Sequence, residues 1–181
     1  VRLLEQIGRT LSFGVIPLNL LTTDNAGQAV SSTMIRQLVA EGDVAAAARA
    51  LARPHRVEGT VVSGDGRGTG LGFPTANLSM TPFPAVPADG VYAGRIIVDP
   101  YGEHDVHSAA ISIGTNPTFD DVVDHRVEAW AYDGGQLDLY DRPLAIDFAA
   151  RIRDQIKFSS EDELAAAVAQ DAVAIRQVLG E

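Results

Sequence analysis

The pattern of hydrophobic and polar positions changes character at Pro54. Before it, apolar residues recur at helical spacing over residues 2–11, and a second helix is predicted to begin at Ser31 or Ser32. After it, short alternating or β-branched runs are separated by Gly, Pro, Asn and Asp, which is typical of strands. The predicted strands are Val57–Ser63, Val91–Val98, His107–Ile113, Arg126–Tyr132 and Leu144–Ile152. Five or six short strands without intervening helices favour an antiparallel barrel or sandwich.

Three further stretches complete the predicted elements. Residues 13–22 read as an apolar strand region that Pro17 interrupts. Asp43 is expected to cap an alanine-rich helix that ends before Pro54, and the scarcity of large apolar side chains there indicates a connector rather than a core element. The clearest helix follows Ser159 or Ser160, the predicted N-cap. Its apolar stripe consists of Leu164, Val168, Ala172, Ile175 and Leu179.

Composition excludes several kinds of site. The 181 residues are 46% hydrophobic and carry a net charge of −10, which argues against a nucleic-acid-binding protein but not against a nucleotide bridged by divalent cations. The absence of cysteine excludes disulfides, thiolate catalysis and Cys-ligated zinc. The sequence has no run of 18 apolar residues that would indicate a membrane span. It also has no charged-then-apolar leader that would indicate a signal peptide. Because the chain starts within an apparent amphipathic stretch, we expect it to be a piece of a longer protein.

The stretch GDGRGTGLGFPTAN, residues 64–77, is the first candidate for chemistry. It matches neither the Walker A pattern nor G-x-G-x-x-G. Its glycines could still direct several backbone N–H groups at an anion, and Arg67 adds a positive charge. Thr75 and Asn77 offer a hydroxyl and an amide oxygen, which are hard ligands suited to Mg²⁺. The alternative is a mobile hairpin loop followed by a turn in which Asn77 acts as a cap.

The stretch HRVEAWAY, residues 125–132, is the second candidate. In a strand, one face would be small and apolar, and the other would carry Glu128 beside Trp130 and Tyr132. A carboxylate next to a flat apolar pocket could act as a general base on a substrate hydroxyl. The alternative is an exposed glutamate on a surface strand.

The stretch AISIGTNPTFDD, residues 110–121, is the third candidate. Its Asn116 lies in a predicted turn after an apolar strand, either contacting a ligand or belonging to a structured loop that Phe119 packs. The four histidines, at positions 55, 104, 107 and 125, show no metal-ligand spacing.

Six segments occur in an order that resembles the riboflavin kinase (flavokinase) family: GDGRGTGLGFPTANL, GVYAG, ISIGTNPTFD, VEAWAYD, LDLYDRPL and RIRDQIKFSSEDELAAAVAQD. The resemblance covers about residues 55–181. It implies a mainly β fold, a six-stranded antiparallel Greek-key barrel with a C-terminal α-helix. It also implies transfer of the ATP γ-phosphoryl group to the 5′-hydroxyl of riboflavin, which gives FMN and ADP.

The family assigns roles to individual positions. By resemblance, Thr75 and Asn77 hold Mg²⁺ and the nucleotide phosphates, Glu128 takes the proton from the 5′-hydroxyl, and the segment from Arg153 through Phe158 borders the flavin together with the final helix. The remaining residues expected to bind nucleotide or flavin are Gly64, Gly66, Arg67, Gly68, Gly70, Gly72, Pro74 and Asn116.

The preceding segment, VSSTMIRQLVAEGDVAAAARALARPHRVEG, resembles the junction in bacterial bifunctional riboflavin kinase/FAD synthetases. Residues 1–37 would then be an α/β remnant of an adenylyltransferase module, residues 38–54 a helical linker, and residues 55–181 the kinase domain. We therefore expect a cytoplasmic enzyme whose intact form also carries that module as a partner. The rest of the module is absent from these 181 residues, so they should not make FAD.

Two positions depart from the family pattern. Thr69 stands where a second basic residue is usual in the glycine stretch, and Asp141 stands where glycine usually follows Leu-Tyr. Asp tolerates turn conformations, so little functional consequence is expected at Asp141. Two other hypotheses remain open: a non-catalytic flavin- or nucleotide-binding barrel, and a barrel that only tethers the adenylyltransferase module.

Overall fold

The computed structural model describes most of the chain, including all five predicted strands. The described residues are 1–18, 22, 29–64, 73–80, 85–114, 126–132 and 137–181. The helices are α1 (Arg2–Leu11), α2 (Ser32–Ala40), α3 (Val44–Leu51) and α4 (Glu161–Leu179). The strands are β1 (His55–Val62), β2 (Ala76–Met80), β3 (Gly90–Val98), β4 (Asp105–Gly114), β5 (Arg126–Ala131) and β6 (Pro143–Arg153).

The chain divides into two compact units, Val1–Ser32 and Thr33–Glu181. In the first unit, α1 is confirmed, but the described residues 13–18 form no strand. The one ladder contact described there is an isolated antiparallel bridge between Thr22 and Ala29. A strand needs a neighbour to satisfy its backbone groups, and Pro17 has no N–H to donate. The domain boundaries given above, 1–37, 38–54 and 55–181, stay a prediction.

The six strands of the second unit close into an antiparallel barrel in the order β1-β2-β5-β4-β3-β6. Within it, β3, β4 and β5 are consecutive neighbours, and β6 returns to lie beside β3, which is the Greek-key arrangement. The predicted barrel is confirmed, and each of the five predicted strands lies within two residues of its observed bounds. The sixth strand, β2, has five residues and was not among those predicted from the alternation pattern.

The barrel interior is filled by the alternate, inward side chains of every strand. The largest of these that are fully buried include Tyr92, Phe148, Ile96, Ile111, Ile113, Leu144 and Ile146. The Tyr92 and Phe148 rings meet edge to face with centroids 5.5 Å apart. The intervening residues of β2, β4 and β5 therefore point to the outer surface, where a substrate could reach them.

The alanine-rich helix α3 belongs to the core, so its interpretation as a connector was wrong. Val44 and Ala47 are fully buried, and Val44 joins the same hydrophobic cluster as the barrel interior. The helix packs against β1 and β6, and its small alanines permit that close approach. The turn before it needs Gly42, which has φ +80° and leaves no room for a Cβ beside the Tyr92 hydroxyl.

Asp43 caps α3 as predicted, because its Oδ1 accepts the N–H of Ala46 at 2.9 Å. We expect Asp43→Ala to lower the free energy of unfolding by about 1 kcal/mol, since a first-turn amide loses its partner. Urea unfolding measures this, with Asp43→Ser as the control because serine also caps helices well. Equal stability of wild type and Asp43→Ala would contradict the capping role.

The final helix α4 is confirmed with Ser160 as its N-cap, whose Oγ accepts the N–H of Glu163. The Glu163 carboxylate reaches back to the N–H and hydroxyl of Ser159, and these hydrogen bonds lower the pKa of Glu163. The helix packs against β3, β4 and β6. Of the predicted stripe, Ala172 and Ile175 are buried and the other members are half-buried.

The surroundings of His55 predict that the stability of the fold depends on pH. Its ring stacks on Phe148, and Nε2 lies 2.7 Å from the carbonyl oxygen of Ala85, so the neutral ring donates there. Burial lowers the pKa of His55, with a smaller lowering from Arg53, while the Ala85 contact and Asp147 raise it. A depressed histidine pKa favours the neutral form in the folded state. Its contribution to stability is therefore full above pH 6.5, the ordinary value, and is lost as the pH falls through the folded-state pKa.

We therefore expect the melting temperature to fall on going from about pH 7.5 to pH 5, and to fall less in His55→Gln, which has no proton to gain. Thermal unfolding at the two pH values measures the difference. The same acid-side decrease in both proteins would show that His55 does not contribute.

Candidate active site

Asn77 and Glu128 lie directly opposite each other where β2 pairs with β5. Their inward neighbours Leu78 and Val127 are buried in the core, so both polar side chains point to the outer surface. Side chains directly opposite in an antiparallel pair have Cβ atoms about 4.5–5.5 Å apart. The two residues that the sequence assigned to metal binding and proton transfer are therefore neighbours on one face.

The strand β5 has the two faces predicted from its alternation. Val127 and Ala129 are 0% and 2% exposed inside the barrel, whereas Glu128, Trp130 and Tyr132 are half-buried outside it. The Trp130 and Tyr132 rings have centroids 6.1 Å apart. A carboxylate thus stands at the end of an aromatic strip on the barrel surface.

Gly64 is packed against the amide of Asn77. A Cβ built on Gly64 would lie 2.6 Å from Asn77 Cγ, closer than real contacts allow. A side chain at position 64 would displace the Asn77 amide, so the first glycine of the stretch has a steric reason to be glycine. The glycine-rich stretch therefore begins next to Asn77, the proposed metal ligand.

Phe73, Pro74 and Thr75 lead into β2 from the same side. The Phe73 ring meets Trp130 edge to face with centroids 4.9 Å apart. Thr75 is half-buried and lies directly before β2, two residues before Asn77. Aromatic packing therefore holds the segment before β2 against β5, the strand that carries Glu128.

Arg153 is fixed by α4 rather than held over the Asn77–Glu128 pair. Its Nε and Nη2 donate to the carboxylate of Asp171 at 2.9 and 2.7 Å, and Asp171 is 7% exposed. Its guanidinium also lies 5.7 Å from the centre of the Phe158 ring. Arg153 and Phe158 therefore form their own cluster where β6 leads to α4.

The strand register relates this cluster to Glu128. Glu128 pairs with Ser112, Ser112 with Val91, and Val91 with Arg153, so the four residues form one row across β5, β4, β3 and β6. Three strand spacings put Arg153 about 14 Å from Glu128 along the barrel surface.

Two hydrogen bonds near this row of residues were not predicted from the sequence. Gln155 Nε2 donates to Ser112 Oγ at 2.8 Å and to the Ile113 carbonyl at 2.9 Å. The alternation of β4, with Ile111 and Ile113 inward, could have shown that Ser112 faces outward. No pattern in the sequence pairs Gln155 with Ser112, because 43 positions separate them.

Several predicted site residues lie outside the described residues. They are Gly66, Arg67, Gly68, Gly70, Gly72 and Asn116, together with Thr69, which departs from the family pattern. Among the residues that the structure does describe, no group of three or more His, Cys, Asp or Glu side chains could hold a metal ion.

A model of riboflavin kinases, the flavokinase family, matches residues 51–179. The chain belongs to the riboflavin kinase family. This match spans the barrel and α4, including every described residue of the candidate site. The helices described in the structure include none long and apolar enough to cross a membrane.

Curated relatives of this riboflavin kinase domain extend the comparison. The bifunctional riboflavin kinase/FMN adenylyltransferase of Escherichia coli K12 is 33% identical over 178 residues, covering 98% of this chain and 54% of its own length. The protein of the same name from Bacillus subtilis is 35% identical over 144 residues, covering 78% and 44%. The chain thus spans about half the length of the curated relatives it matches.

Two solved structures are similar in fold. A riboflavin kinase from Trypanosoma brucei has a TM-score of 0.52 and 25% identity, covering 70% of this chain and 80% of that one. A structure named as a macrolide-efflux protein from Streptococcus pneumoniae has a TM-score of 0.81 and 32% identity, covering 95% and 54%. The T. brucei structure carries the family's name, and the six-stranded barrel with its C-terminal helix is the riboflavin kinase fold.

Proposed function

We propose that this barrel transfers the γ-phosphoryl group of ATP to the 5′-hydroxyl of riboflavin, giving FMN and ADP. The observation that carries the proposal is the direct pairing of Asn77 with Glu128 on the outer face of β2 and β5. Phosphoryl transfer depends on positioning and charge neutralisation more than on covalent chemistry. A nucleotide-phosphate ligand and a base on adjacent strands would bring donor and acceptor together.

Glu128 would act as the general base. Its carboxylate accepts the proton of the 5′-hydroxyl as that oxygen bonds to the γ-phosphorus, and the bond from phosphorus to the β–γ bridging oxygen breaks to release ADP. The half-buried outward position of Glu128 leaves it within reach of a substrate. The aromatic strip of Trp130 and Tyr132 beside it would keep water away from one side.

Thr75 and Asn77 would hold Mg²⁺ together with the phosphates. Their hydroxyl and amide oxygens are hard ligands, and Mg²⁺ usually takes one or two protein ligands and otherwise keeps waters and substrate phosphates. When bound, the ion neutralises charge on the transferring phosphoryl group.

The glycine stretch would cover the nucleotide. Its backbone N–H groups, with Arg67, would neutralise phosphates without the lysine of a Walker A loop. Gly64 supports this reading because it lies against Asn77, so the stretch starts beside the proposed phosphate site.

The opposite end of the row would contact the flavin. Arg153 and Phe158 form a fixed cationic and aromatic surface, held by Asp171 of α4. By strand spacing, about 14 Å along the barrel separates this surface from Glu128.

The N-terminal unit would belong to an adenylyltransferase module in a longer protein. The bifunctional relatives extend well beyond this chain, and Ile16 and Leu18 are 85% and 86% exposed, as expected for apolar residues that pack on a missing partner. The intact protein would then convert FMN to FAD in the cytoplasm, and this chain alone would stop at FMN.

Incubation of the chain with riboflavin and MgATP, followed by chromatographic detection of FMN, tests the proposal. We expect FMN to accumulate with time, and to fail to accumulate when EDTA removes Mg²⁺. Binding of MgADP and FMN in calorimetry without any FMN formation would instead indicate a non-catalytic binding barrel. No heat of binding with either ligand would indicate a barrel that only tethers the adenylyltransferase module.

A further inference from the structure

Thr75 and Asn77, the two proposed metal ligands, are placed by different parts of the structure. Asn77 belongs to β2 and is paired with a residue of β1 on one side and a residue of β5 on the other. Thr75 precedes β2, and the pairing of β2 with β5 begins one residue later, at Ala76. The strand register therefore fixes Asn77, whereas the position of Thr75 depends on what holds residues 73–75.

Trp130 of β5 holds this segment through Phe73. The two rings meet edge to face, with centroids 4.9 Å apart and planes at 78°. Aromatic rings in this arrangement attract each other beyond the effect of burial alone. Between Phe73 and Thr75 the backbone is restricted by Pro74, whose ring fixes φ. A fixed Phe73 therefore also restricts where Thr75 can lie.

Trp130 is itself supported from its other side by Tyr132. The centroids of these two rings are 6.1 Å apart. The Tyr132 hydroxyl donates to Glu181 Oε2 at 3.0 Å, and the guanidinium of Arg176, in the last turn of α4, lies 5.2 Å from the centre of the Tyr132 ring. Three rings in a row, Phe73, Trp130 and Tyr132, therefore connect the end of α4 to the segment before β2.

We infer that Trp130 is a positioning residue for the nucleotide, because it holds Phe73 and so places the Thr75 hydroxyl for Mg²⁺ and the phosphates. This inference rests on the proposed kinase function, in which Thr75 is a metal ligand. It gives Trp130 and Glu128 separate roles, although both lie on β5. Glu128 would act on the acceptor hydroxyl, whereas Trp130 would act on the affinity for the donor nucleotide.

Calorimetric binding of MgADP to the 181-residue chain tests the inference. We expect Trp130→Leu to weaken binding by about 3- to 10-fold, because the segment must then be ordered at the expense of binding free energy. Trp130→Phe keeps a ring that can meet Phe73 and should recover most of the affinity. Tyr101→Leu is the matched control, since it removes a ring that is 81% exposed in the turn between β3 and β4, and it should bind like the wild type.

Two double variants test the route from Trp130 to Thr75. Phe73→Leu removes the same ring contact from the other side, so Phe73→Leu combined with Trp130→Leu should bind no more weakly than the weaker single variant. Thr75→Ala should cost much less affinity in the Trp130→Leu background than in the wild type. Thermal unfolding shows which variants are folded, and Phe73→Leu carries the test if Trp130→Leu is not.

Steady-state formation of FMN shows which substrate is affected. We expect Trp130→Leu to raise KM for MgATP by a factor similar to the loss of MgADP affinity. Both kcat and KM for riboflavin should stay within about twofold, because leucine is still apolar and Glu128 is unchanged. A loss confined to kcat or to KM for riboflavin would assign Trp130 to the base or to the flavin and would overturn the inference.

The binding results have equally distinct outcomes. Unchanged MgADP affinity in Trp130→Leu and Phe73→Leu, no recovery in Trp130→Phe, or additive losses with Thr75→Ala would each overturn the inference. A wild type that forms FMN keeps the proposed function whatever the Trp130 variants do. A wild type that binds MgADP but forms no FMN overturns the function, while the binding comparison still decides the inference. A wild type that does neither overturns both.

Discussion

Glu128→Gln should lower the rate of FMN formation by about 10²- to 10⁴-fold, the usual contribution of a positioned general base. Glutamine keeps the size and planarity of the side chain but cannot accept the proton of the 5′-hydroxyl. Since the outward placement on β5 comes from the inward packing of Val127 and Ala129, the strand itself should be unaffected. Binding of MgADP and riboflavin should therefore be retained, as calorimetry can measure.

Glu103→Gln provides the matched control, because Glu103 is exposed in the turn between β3 and β4. It should form FMN at the wild-type rate. If Glu128→Gln also formed FMN at that rate, Glu128 would not be the base, and the role of the β2–β5 pair would have to be reassigned to binding alone.

Asn77→Ala should weaken the affinity for MgADP by about tenfold or more, which corresponds to roughly 1.4 kcal/mol or more of binding free energy. The substitution removes an oxygen ligand from the proposed Mg²⁺ and phosphate site. It also leaves a space against Gly64, which now packs on the Asn77 amide. The effect should largely vanish when nucleotide binding is measured without Mg²⁺, because the lost contact is to the cation.

Ser79→Ala serves as the comparison for this strand. Ser79 lies two residues further along β2, on the same outer face, and is exposed. It should bind MgADP like the wild type. Unchanged affinity in both Asn77→Ala and Thr75→Ala would remove these residues from the metal site.

Structure was predicted most accurately where hydrophobic and polar residues alternate strongly along the chain. In β5, the two-residue period separates Val127 and Ala129 from Glu128 and Trp130, and the structure has those two faces. Asp141, expected to tolerate a turn, adopts φ +61°, a left-handed conformation that Asp accepts more readily than most residues. Both features depend on local chemistry that the residues themselves reveal.

Local patterns failed where packing decides the structure. The strand β2 is too short for its alternation to stand out, and its place between β1 and β5 satisfies its backbone groups. Val44 of α3 looked unremarkable among alanines, yet it is buried in the barrel cluster. Closure of the barrel also places Asn77 opposite Glu128. This could not be predicted, because the sequence of one strand does not determine its register with a distant strand.

We propose above all that this barrel moves a phosphoryl group from ATP to riboflavin. Incubation with riboflavin, Mg²⁺ and ATP labelled at the γ-phosphate tests it most directly, with the label followed into FMN and the amount of ADP measured in the same sample. We expect the label to appear in FMN, with one ADP formed for each FMN. Labelled inorganic phosphate with ADP but no labelled FMN, or no ADP at all, would contradict it.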